Sequence, residues 1–138
     1  MRLNYGYTLI EVLIALAIFG IVFLGLFATV SVVLSNNIKN LERNEAISIL
    51  EESLESVRNI DFSKVTDSYL NNGTSNCTDS LSKCQILRQI RNFQKCYGRF
   101  YSVSNISSDL KKVKVTVCWK ERGKLQEISD ETILGKEE

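Results

Sequence analysis

The first third of the chain is almost entirely apolar. No charged residue occurs from Val12 to Leu34, a span of about 23 residues that as a helix reaches about 34 Å, enough to cross a hydrocarbon core of about 30 Å. The pattern therefore predicts a transmembrane helix at residues 12–34. A secretory signal peptide is the alternative, but its apolar region usually has about 7 to 15 residues and ends at small residues.

Beyond this run the pattern becomes amphipathic. Apolar side chains recur at intervals of three and four residues, with acidic residues mostly between them, as in a helix with one buried stripe. The members of this stripe are Ile47, Leu50, Leu54 and Val57. Neither proline nor glycine interrupts residues 26–60. The sequence thus predicts one helix over residues 7–59, with a transmembrane first half and an amphipathic second half.

The remainder, residues 60–138, is predicted to be a small globular domain. Its first part is polar and indicates a loop with a helical turn near residues 65–70. Segments 97–105, 112–119 and 125–134 have strand-like composition, with turns at 107–109 and 121–124. Val113, Val115, Val117 and Trp119 alternate with more polar residues. The predicted fold class is α+β, an antiparallel β-meander whose apolar face packs on the helix stripe.

Charge and composition narrow the function. Lys and Arg number 17 against 16 Asp and Glu, so a nucleic-acid partner is not indicated by net charge. Lys111, Lys112 and Lys114 are interpreted as a solvated strand face rather than a DNA-binding patch. The chain has no histidine, which removes the commonest general base and metal ligand. We expect no enzymatic activity, no cofactor and no metal site.

The chain has four cysteines, Cys77, Cys84, Cys96 and Cys118. An even number in an extracytoplasmic domain is typical of disulfides, and four cysteines allow three connectivities. If the first hairpin turns about Ser107, Cys96 lies opposite Cys118, which leaves Cys77 to pair with Cys84. A four-thiolate zinc site is the alternative, but it lacks the usual C-x-x-C spacing.

Glu11 is the one charge close to the start of the apolar run. A carboxylate at the bilayer centre costs roughly 2.5 kcal/mol or more, so a plain anchor has no use for it. Either Glu11 snorkels at the membrane edge or it needs a specific partner. Residues 1–6 carry Arg2 and no acidic residue, and the positive-inside bias is expected to keep them cytoplasmic. The globular domain is then extracytoplasmic.

A resemblance explains these features together. Gly6 is followed by YTLIEVLIALAIFGIVFLGLF, which resembles the prepilin signature of type IV pilins and type II secretion pseudopilins: a short basic leader ending in Gly, an aromatic residue, Thr-Leu-Ile-Glu and a long apolar helix. The resemblance is close over residues 2–34. Tyr7 stands where Phe is commoner, and the chain lacks the proline that many major pilins carry in this helix.

The resemblance implies a leader at residues 1–6 that a prepilin peptidase removes by cutting between Gly6 and Tyr7. The same enzyme is expected to methylate the new amine of Tyr7. Glu11 is then expected to pair with a terminal amine in the growing filament, because an ammonium group offsets the desolvation of both charges. Glu11 is therefore the expected assembly residue.

The last strands read KVKVTVCWKERGKLQEISDETIL and are similar to the closing strands of some minor pilins and pseudopilins. This implies a non-enzymatic subunit that initiates or caps a type IV pilus or a type II secretion pseudopilus. Alternatives are a pilus-tip subunit that binds DNA or a surface, and a signal-anchored extracytoplasmic enzyme. Expected partners are the prepilin peptidase, other pilins or pseudopilins through the N-terminal helix, and the cytoplasmic membrane, which the chain crosses once before assembly.

Overall fold

The computed structural model describes residues 8–136. One long helix comes first, followed by a short 3-10 helix, two short α-helices and four strands. In chain order the elements are α1 (Leu9–Arg58), the 3-10 helix (Phe62–Lys64), α2 (Asp67–Asn71), α3 (Cys77–Ser82), β1 (Ile86–Ile90), β2 (Phe93–Asn105), β3 (Leu110–Glu121) and β4 (Lys124–Gly135). The predicted α+β class is confirmed.

The chain divides into two compact units, Met1–Ile38 and Lys39–Glu138. The described part of the first unit is helical from Leu9 onward. The second unit contains the remainder of α1, which supplies buried side chains to the globular core. The amphipathic half of the helix therefore folds together with the sheet.

The helix of the first unit is apolar all round, and its side chains from residue 8 to residue 34 are all exposed. The ring of Phe23 stacks on that of Phe19, with centroids 5.7 Å apart, and meets the ring of Phe27 edge to face, with centroids 4.7 Å apart. The hydroxyls of Thr29 and Ser31 donate to carbonyl oxygens four residues earlier. Such internal bonds satisfy polar side chains where water is scarce, as in a membrane or a helix bundle.

The four strands form one antiparallel sheet in the order β1-β2-β3-β4. The three predicted strands are present, and each is longer than predicted. Two-residue turns join β1 to β2 and β3 to β4, with positive φ at Arg91, Arg122 and Gly123, as tight hairpin turns require. The sequence analysis missed β1, because four of its five residues are exposed or only half-buried and leave little apolar signal.

The core lies between α1 and one face of the sheet. Val113, Val115 and Val117 are fully buried, as their alternation predicted. The buried core residues are Ala46, Ile49, Leu50, Val57, Val65, Ile90, Tyr97, Tyr101, Val113, Val115, Val117 and Trp119.

The predicted helix stripe is wrong at one position. Ile47 is 36% exposed, whereas Leu50 and Val57 are buried and Leu54 is half-buried. Small residues that the apolar pattern overlooks are buried instead, among them Ser53, whose hydroxyl donates to a helix carbonyl. The buried face is therefore rotated away from Ile47, because small side chains let the helix approach the sheet closely.

Ion pairs hold α1 against the hairpin of β1 and β2. Nζ of Lys95 lies 2.7 Å from Oε1 of Glu42, and both side chains are largely buried. Arg88 pairs with both Glu45 and Glu52 on the next turns of the helix. A buried pair contributes little net stability, but losing one partner leaves an uncompensated charge at a cost of about 3–5 kcal/mol. These pairs therefore favour one alignment of the helix on the hairpin.

Two disulfides cross-link the globular unit, and both differ from the predicted pairing. They join Cys77 to Cys118 and Cys84 to Cys96, with Cα–Cα distances of 6.1 and 5.1 Å. The predicted pairs, Cys96 with Cys118 and Cys77 with Cys84, are therefore wrong. All four thiols that the zinc alternative required are used in these bonds.

The error comes from the register of β2 and β3. The hairpin was expected to turn about Ser107, but the N–H of Ser107 bonds the carbonyl of Leu110 and the turn lies further along the chain. As a result Gly98, and not Cys96, is the partner of Cys118. A shift of two residues keeps each side chain on its predicted face, which is why the core prediction survived while the disulfide prediction failed.

Gly98 leaves space for α3 on the face of the sheet opposite α1. A Cβ at this position would lie 2.6 Å from the backbone nitrogen of Leu81 and 2.9 Å from Sγ of Cys118, and would also overlap the carbonyl of Cys77. Helix α3 thus sits directly on the sheet, with the disulfide of Cys118 beneath it. Its N-cap, Asn76, accepts from the backbone of Asp79 at 2.8 Å, a start signal that the loop prediction did not use.

Beyond Tyr97, β1 no longer pairs with β2, and side chains complete the edge of the sheet. Asn71 at the end of α2 acts as a strand partner for Tyr101: its Oδ1 accepts from the backbone N–H and its Nδ2 donates to the carbonyl, both at 2.8 Å. Asn71 is itself buried. Both backbone groups of Tyr101 are therefore satisfied without a strand.

Two more side chains form hydrogen bonds with backbone groups of β2 that no strand partner reaches. The backbone N–H of Arg99 donates to Oγ of Ser80 at 2.8 Å, and that of Val103 donates to Oδ1 of Asp67 at 2.6 Å. We call the stretch of β2 from Arg99 to Val103 the closed edge. Helices α2 and α3 thus replace a fifth strand at this edge.

Tryptic digestion without reduction will test the disulfide pairing. Trypsin separates all four cysteines, which fall in peptides 65–83, 84–88, 96–99 and 115–120. We expect one linked species that joins 65–83 to 115–120 and another that joins 84–88 to 96–99. Mass spectrometric detection of 96–99 linked to 115–120 would instead support the register expected from sequence.

Replacement of Gly98 by alanine will test how closely α3 packs on the sheet. We expect Gly98→Ala to lower the free energy of unfolding by about 1–3 kcal/mol, the usual cost of overpacking, because the added methyl meets backbone atoms. The matched control is Gly135→Ala, where a Cβ lies 3.8 Å from Leu110. Denaturant unfolding measures the free energy of unfolding of both variants. Equal values would contradict the close packing of α3 on the sheet at Gly98.

Candidate assembly site at the start of helix α1

Thr8 and Glu11 bond each other reciprocally at the N-terminus of α1. The backbone N–H of Glu11 donates to Oγ1 of Thr8 at 3.4 Å. In return, Oε2 of Glu11 accepts from the backbone N–H of Thr8 at 2.9 Å and from its hydroxyl at 3.0 Å. This arrangement is a capping box, in which two side chains satisfy each other's backbone donors. Glu11 therefore has a partner within its own chain.

The position of Glu11 also suits the charge of the helix end. Unpaired N–H groups give the first turn a partial positive charge, and a carboxylate there is stabilised by about 0.3–1 kcal/mol when exposed. Desolvation of an ion in apolar surroundings costs several kcal/mol. The cap therefore explains where Glu11 sits, but it does not offset the cost of carrying the charge into a membrane or a helix bundle.

Oε1 of Glu11 remains available to a further donor. Both side-chain bonds end on Oε2, and within residues 8–136 no hydrogen bond reaches Oε1. The carboxylate borders a shallow groove along α1 that is otherwise lined by Val12, Ala15, Leu16 and Phe19. A cation in this groove would meet one carboxylate oxygen among apolar side chains.

Of the predicted processing and assembly residues, Glu11 is described by the structure, whereas Gly6 and Tyr7 lie outside the described residues. The four cysteines belong to the globular unit and take part in the disulfides. The sequence analysis missed Thr8. The T-x-x-E spacing ahead of an apolar run is the signature of a capping box, and this signal would have identified it.

The described part of the chain offers no metal site. Within residues 8–136, no group of three or more His, Cys, Asp or Glu side chains is placed to hold a metal ion. A cleft of about 770 Å³ lies at the end of α1. Its Arg58 and Lys64 are 3.8 Å from Glu55 and Asp61 respectively, so these cations are engaged in ion pairs within the chain.

In the described part of the chain, α1 is the one helix with a stretch long and apolar enough to cross a membrane, and none of this stretch is buried. A signal sequence near the N-terminus meets the same criteria. The transmembrane span at residues 12–34 therefore stays a prediction.

Comparison with known proteins shows that the start of the chain, including Thr8 and Glu11, matches a known sequence motif. Residues 1–27 match the family described as the prokaryotic N-terminal methylation motif. No curated protein and no solved structure matches the chain. The match covers the capping box and the apolar groove of α1, whereas the globular unit lies beyond it. The chain thus carries, at its N-terminus, the signal of type IV prepilins and pseudopilins.

Proposed function

We propose that the protein is a minor pilin or pseudopilin, a non-enzymatic subunit that initiates or caps a type IV pilus or a type II secretion pseudopilus. The observation that carries this proposal is the position of Glu11. Its carboxylate sits at the start of an apolar helix, within the methylation motif, with one oxygen unbonded among the described residues. Such a group suits pairing with an amine better than it suits simple anchoring.

Processing by a prepilin peptidase is the first step of this function. The enzyme cuts between Gly6 and Tyr7 and methylates the new amine of Tyr7. The cut falls before Thr8, so both members of the capping box stay in the mature chain. Processing therefore creates a terminal ammonium without removing the residues that hold Glu11 in place.

Assembly then pairs Glu11 with the terminal amine of Tyr7 of another subunit. The cap keeps Oε2 on its own helix end and leaves Oε1 for the ammonium. Two opposite charges a few ångströms apart in an apolar bundle offset each other's desolvation, whereas either one alone would cost several kcal/mol. The requirement for this pairing sets the stagger between neighbouring helices.

Partners and location follow from this role. Other pilins or pseudopilins contact the exposed apolar side chains of α1, and the cytoplasmic membrane covers the same side chains before assembly. The globular unit is then extracytoplasmic, where disulfides persist. The closing strands support a minor rather than a major subunit through their similarity to those of minor pilins and pseudopilins.

The two alternatives gain no specific support. A tip subunit that recognises DNA by stacking bases on aromatic rings gains no support from Tyr97, Tyr101 and Trp119, which are buried in the core. A signal-anchored enzyme would need a reactive cluster, and the chain has no histidine. The structural subunit is the function that uses the features of α1 best.

Co-expression with a prepilin peptidase will test processing. We expect intact-mass and N-terminal peptide measurements to show a chain that begins at N-methylated Tyr7. Gly6→Leu should block the cut, because the added side chain occupies the cleavage position. Gly20→Leu, a glycine change within the apolar helix, is the matched control and should be cut normally. A wild-type chain that keeps residues 1–6, or is cut elsewhere, would overturn the proposed function.

A set of variants will separate the charge of Glu11 from its capping role. Glu11→Gln keeps a side chain that can complete a capping box but removes the charge. We expect it to reduce incorporation into sheared filaments by about two to four orders of magnitude, because an unpaired buried ammonium costs about 3–5 kcal/mol. Thr8→Val keeps the charge but loses the cap, at a cost of about 1 kcal/mol, and should reduce incorporation only severalfold.

Quantitative immunoblotting of filament and membrane fractions gives the readout for both variants, with peptidase cleavage as the control for correct insertion. Normal incorporation of Glu11→Gln with impaired incorporation of Thr8→Val would show that Glu11 serves only as a helix cap. The amine pairing would then be wrong.

A further inference from the structure

We infer that one end of the globular unit is a docking surface for anionic phospholipid headgroups. This inference rests on the proposed function, because it requires α1 to lie in a bilayer before assembly. The surface consists of exposed cations in and beside the two tight turns of the sheet. They are Arg91, Lys120, Arg122 and Lys124, and we call them the basic end.

The register of the sheet brings these residues together. Gly98 pairs with Cys118, so the start of β2 and the end of β3 lie on the same side of that pair. The turn before β2 contains Arg91, and the turn after β3 contains Arg122. Both turns therefore lie at one end of an antiparallel sheet, although the chain segments are about thirty residues apart.

The same end is where the chain enters the globular unit. Lys39, the first residue of the unit, has its Nζ 2.9 Å from Oε1 of Glu121 beside the second turn. On strand β2, Lys95 reaches Glu42, one turn further along α1. Arg58, at the far end of the helix, bonds Thr132 near the opposite end of the sheet. Helix α1 thus runs along the sheet from the basic end to the other.

Two acidic groups at this end are engaged in ion pairs. Glu121 pairs with Lys39, and Glu42 pairs with Lys95. Arg91, Lys120 and Lys124 are exposed, and Arg43 of α1 adds another exposed cation. The exposed Glu127, opposite Cys118, offsets one of these charges. The balance at this end is therefore positive, whereas the whole chain carries a formal charge of only +1.

Chain connectivity identifies the partner. Lys39 follows the uncharged run that ends at Leu34 after only four residues, Ser35 to Ile38. A segment this short keeps Lys39 within reach of the headgroup layer when the run is in the bilayer. Anionic headgroups attract Lys and Arg beside a membrane segment, and the attraction falls off within a Debye length of about 10 Å at 0.1 M salt. Positive charge at this end of the sheet is complementary to such a surface.

The opposite end of the sheet offers a contrast. Its turn between β2 and β3 contains Asp109 and no basic residue from Ile106 to Asp109, and Asp67 of α2 lies beside it at Val103. Lys111, near this end, donates to two carbonyl oxygens of the 3-10 helix region and is thereby engaged within the chain. Lys136 beside this turn is an exposed cation, but Lys112 and Lys64 are paired with Glu131 and Asp61. The larger net positive charge therefore lies at the end where the chain enters.

The test uses the full-length chain reconstituted into vesicles. A coumarin-bearing residue is placed at position 92 in the first turn, because a new cysteine could exchange with the disulfides. Quenching by a nitroxide headgroup lipid is compared between phosphatidylcholine alone and equal parts of phosphatidylcholine and phosphatidylglycerol. We expect quenching to rise about threefold with the anionic lipid and to return to the lower value in about 1 M salt, where the Debye length is about 3 Å. The same probe at position 108, in the opposite turn, should not respond.

Charge reversal at the basic end should abolish the response to anionic lipid. The variant combines Arg91→Glu, Lys120→Glu and Lys124→Glu. A control with the same change in net charge combines Lys64→Glu, Lys114→Glu and Lys136→Glu, which are exposed residues outside the basic end, and it should keep the response. If the first variant is too unstable to reconstitute, as judged by thermal unfolding, the corresponding glutamine variant should show a reduced response.

Equal quenching in the two lipid mixtures would overturn the inference, and so would equal loss of the response in the control variant. A response that appears only when other pilin subunits are present would also overturn it, because the basic end would then contact an acidic protein surface. Cleavage by the prepilin peptidase is measured in the same vesicles. Normal cleavage without a lipid response refutes only the lipid surface, whereas absent cleavage refutes the proposed function.

Discussion

The pairing of Gly98 with Cys118 is the contact on which the globular unit depends. It sets the register of the two central strands, and this register places the valines of β3 against α1. On the other face, the missing side chain of Gly98 lets α3 lie directly on the sheet, so that Cys77 reaches Cys118. The same register assigns both tight turns to the end where the chain enters from the apolar helix. The packing of the core, the disulfide between Cys77 and Cys118 and the position of the charged turns are therefore all consequences of one residue pair.

At the other end of the chain, a single carboxylate combines two roles of unequal strength. As a helix cap, Glu11 contributes about 1 kcal/mol or less, which is the scale of an exposed capping interaction. As one member of an ion pair in apolar surroundings, it prevents a penalty several times larger. The two roles use different oxygens, so they do not compete. The cap orients the group, and the partner charge is what makes its presence in an apolar helix tolerable.

Sequence reasoning predicted the elements whose signals are long or periodic, and it failed where short-range geometry decides. The long helix, the three long strands and the inward-facing valines followed from hydrophobic pattern alone. The disulfides did not, because the position of the turn near Ser107 cannot be read to within one residue and each residue of error moves the pairing by two. Ile47 was wrongly assigned to the buried face because a search for large apolar residues overlooks Ala46 and Ser53, the small residues that are buried there. At the candidate site, Glu11 was found as an unexplained charge, while Thr8 was missed because a single hydroxyl at a helix start leaves no hydrophobic signal and is revealed only by its spacing from Glu11.

The closed edge of β2 has a consequence for how such a subunit can polymerise. An unpaired strand edge offers backbone donors and acceptors to any similar edge, and proteins crowded in a membrane would meet each other often enough to join in this way. Asn71, Ser80 and Asp67 occupy those groups with side chains, which a passing strand would have to displace one after another. At the other border of the sheet, β4 presents mostly exposed residues with several acidic side chains, which repel a second copy of themselves. Uncontrolled sheet growth between globular units is thereby disfavoured, and ordered growth is left to the helices.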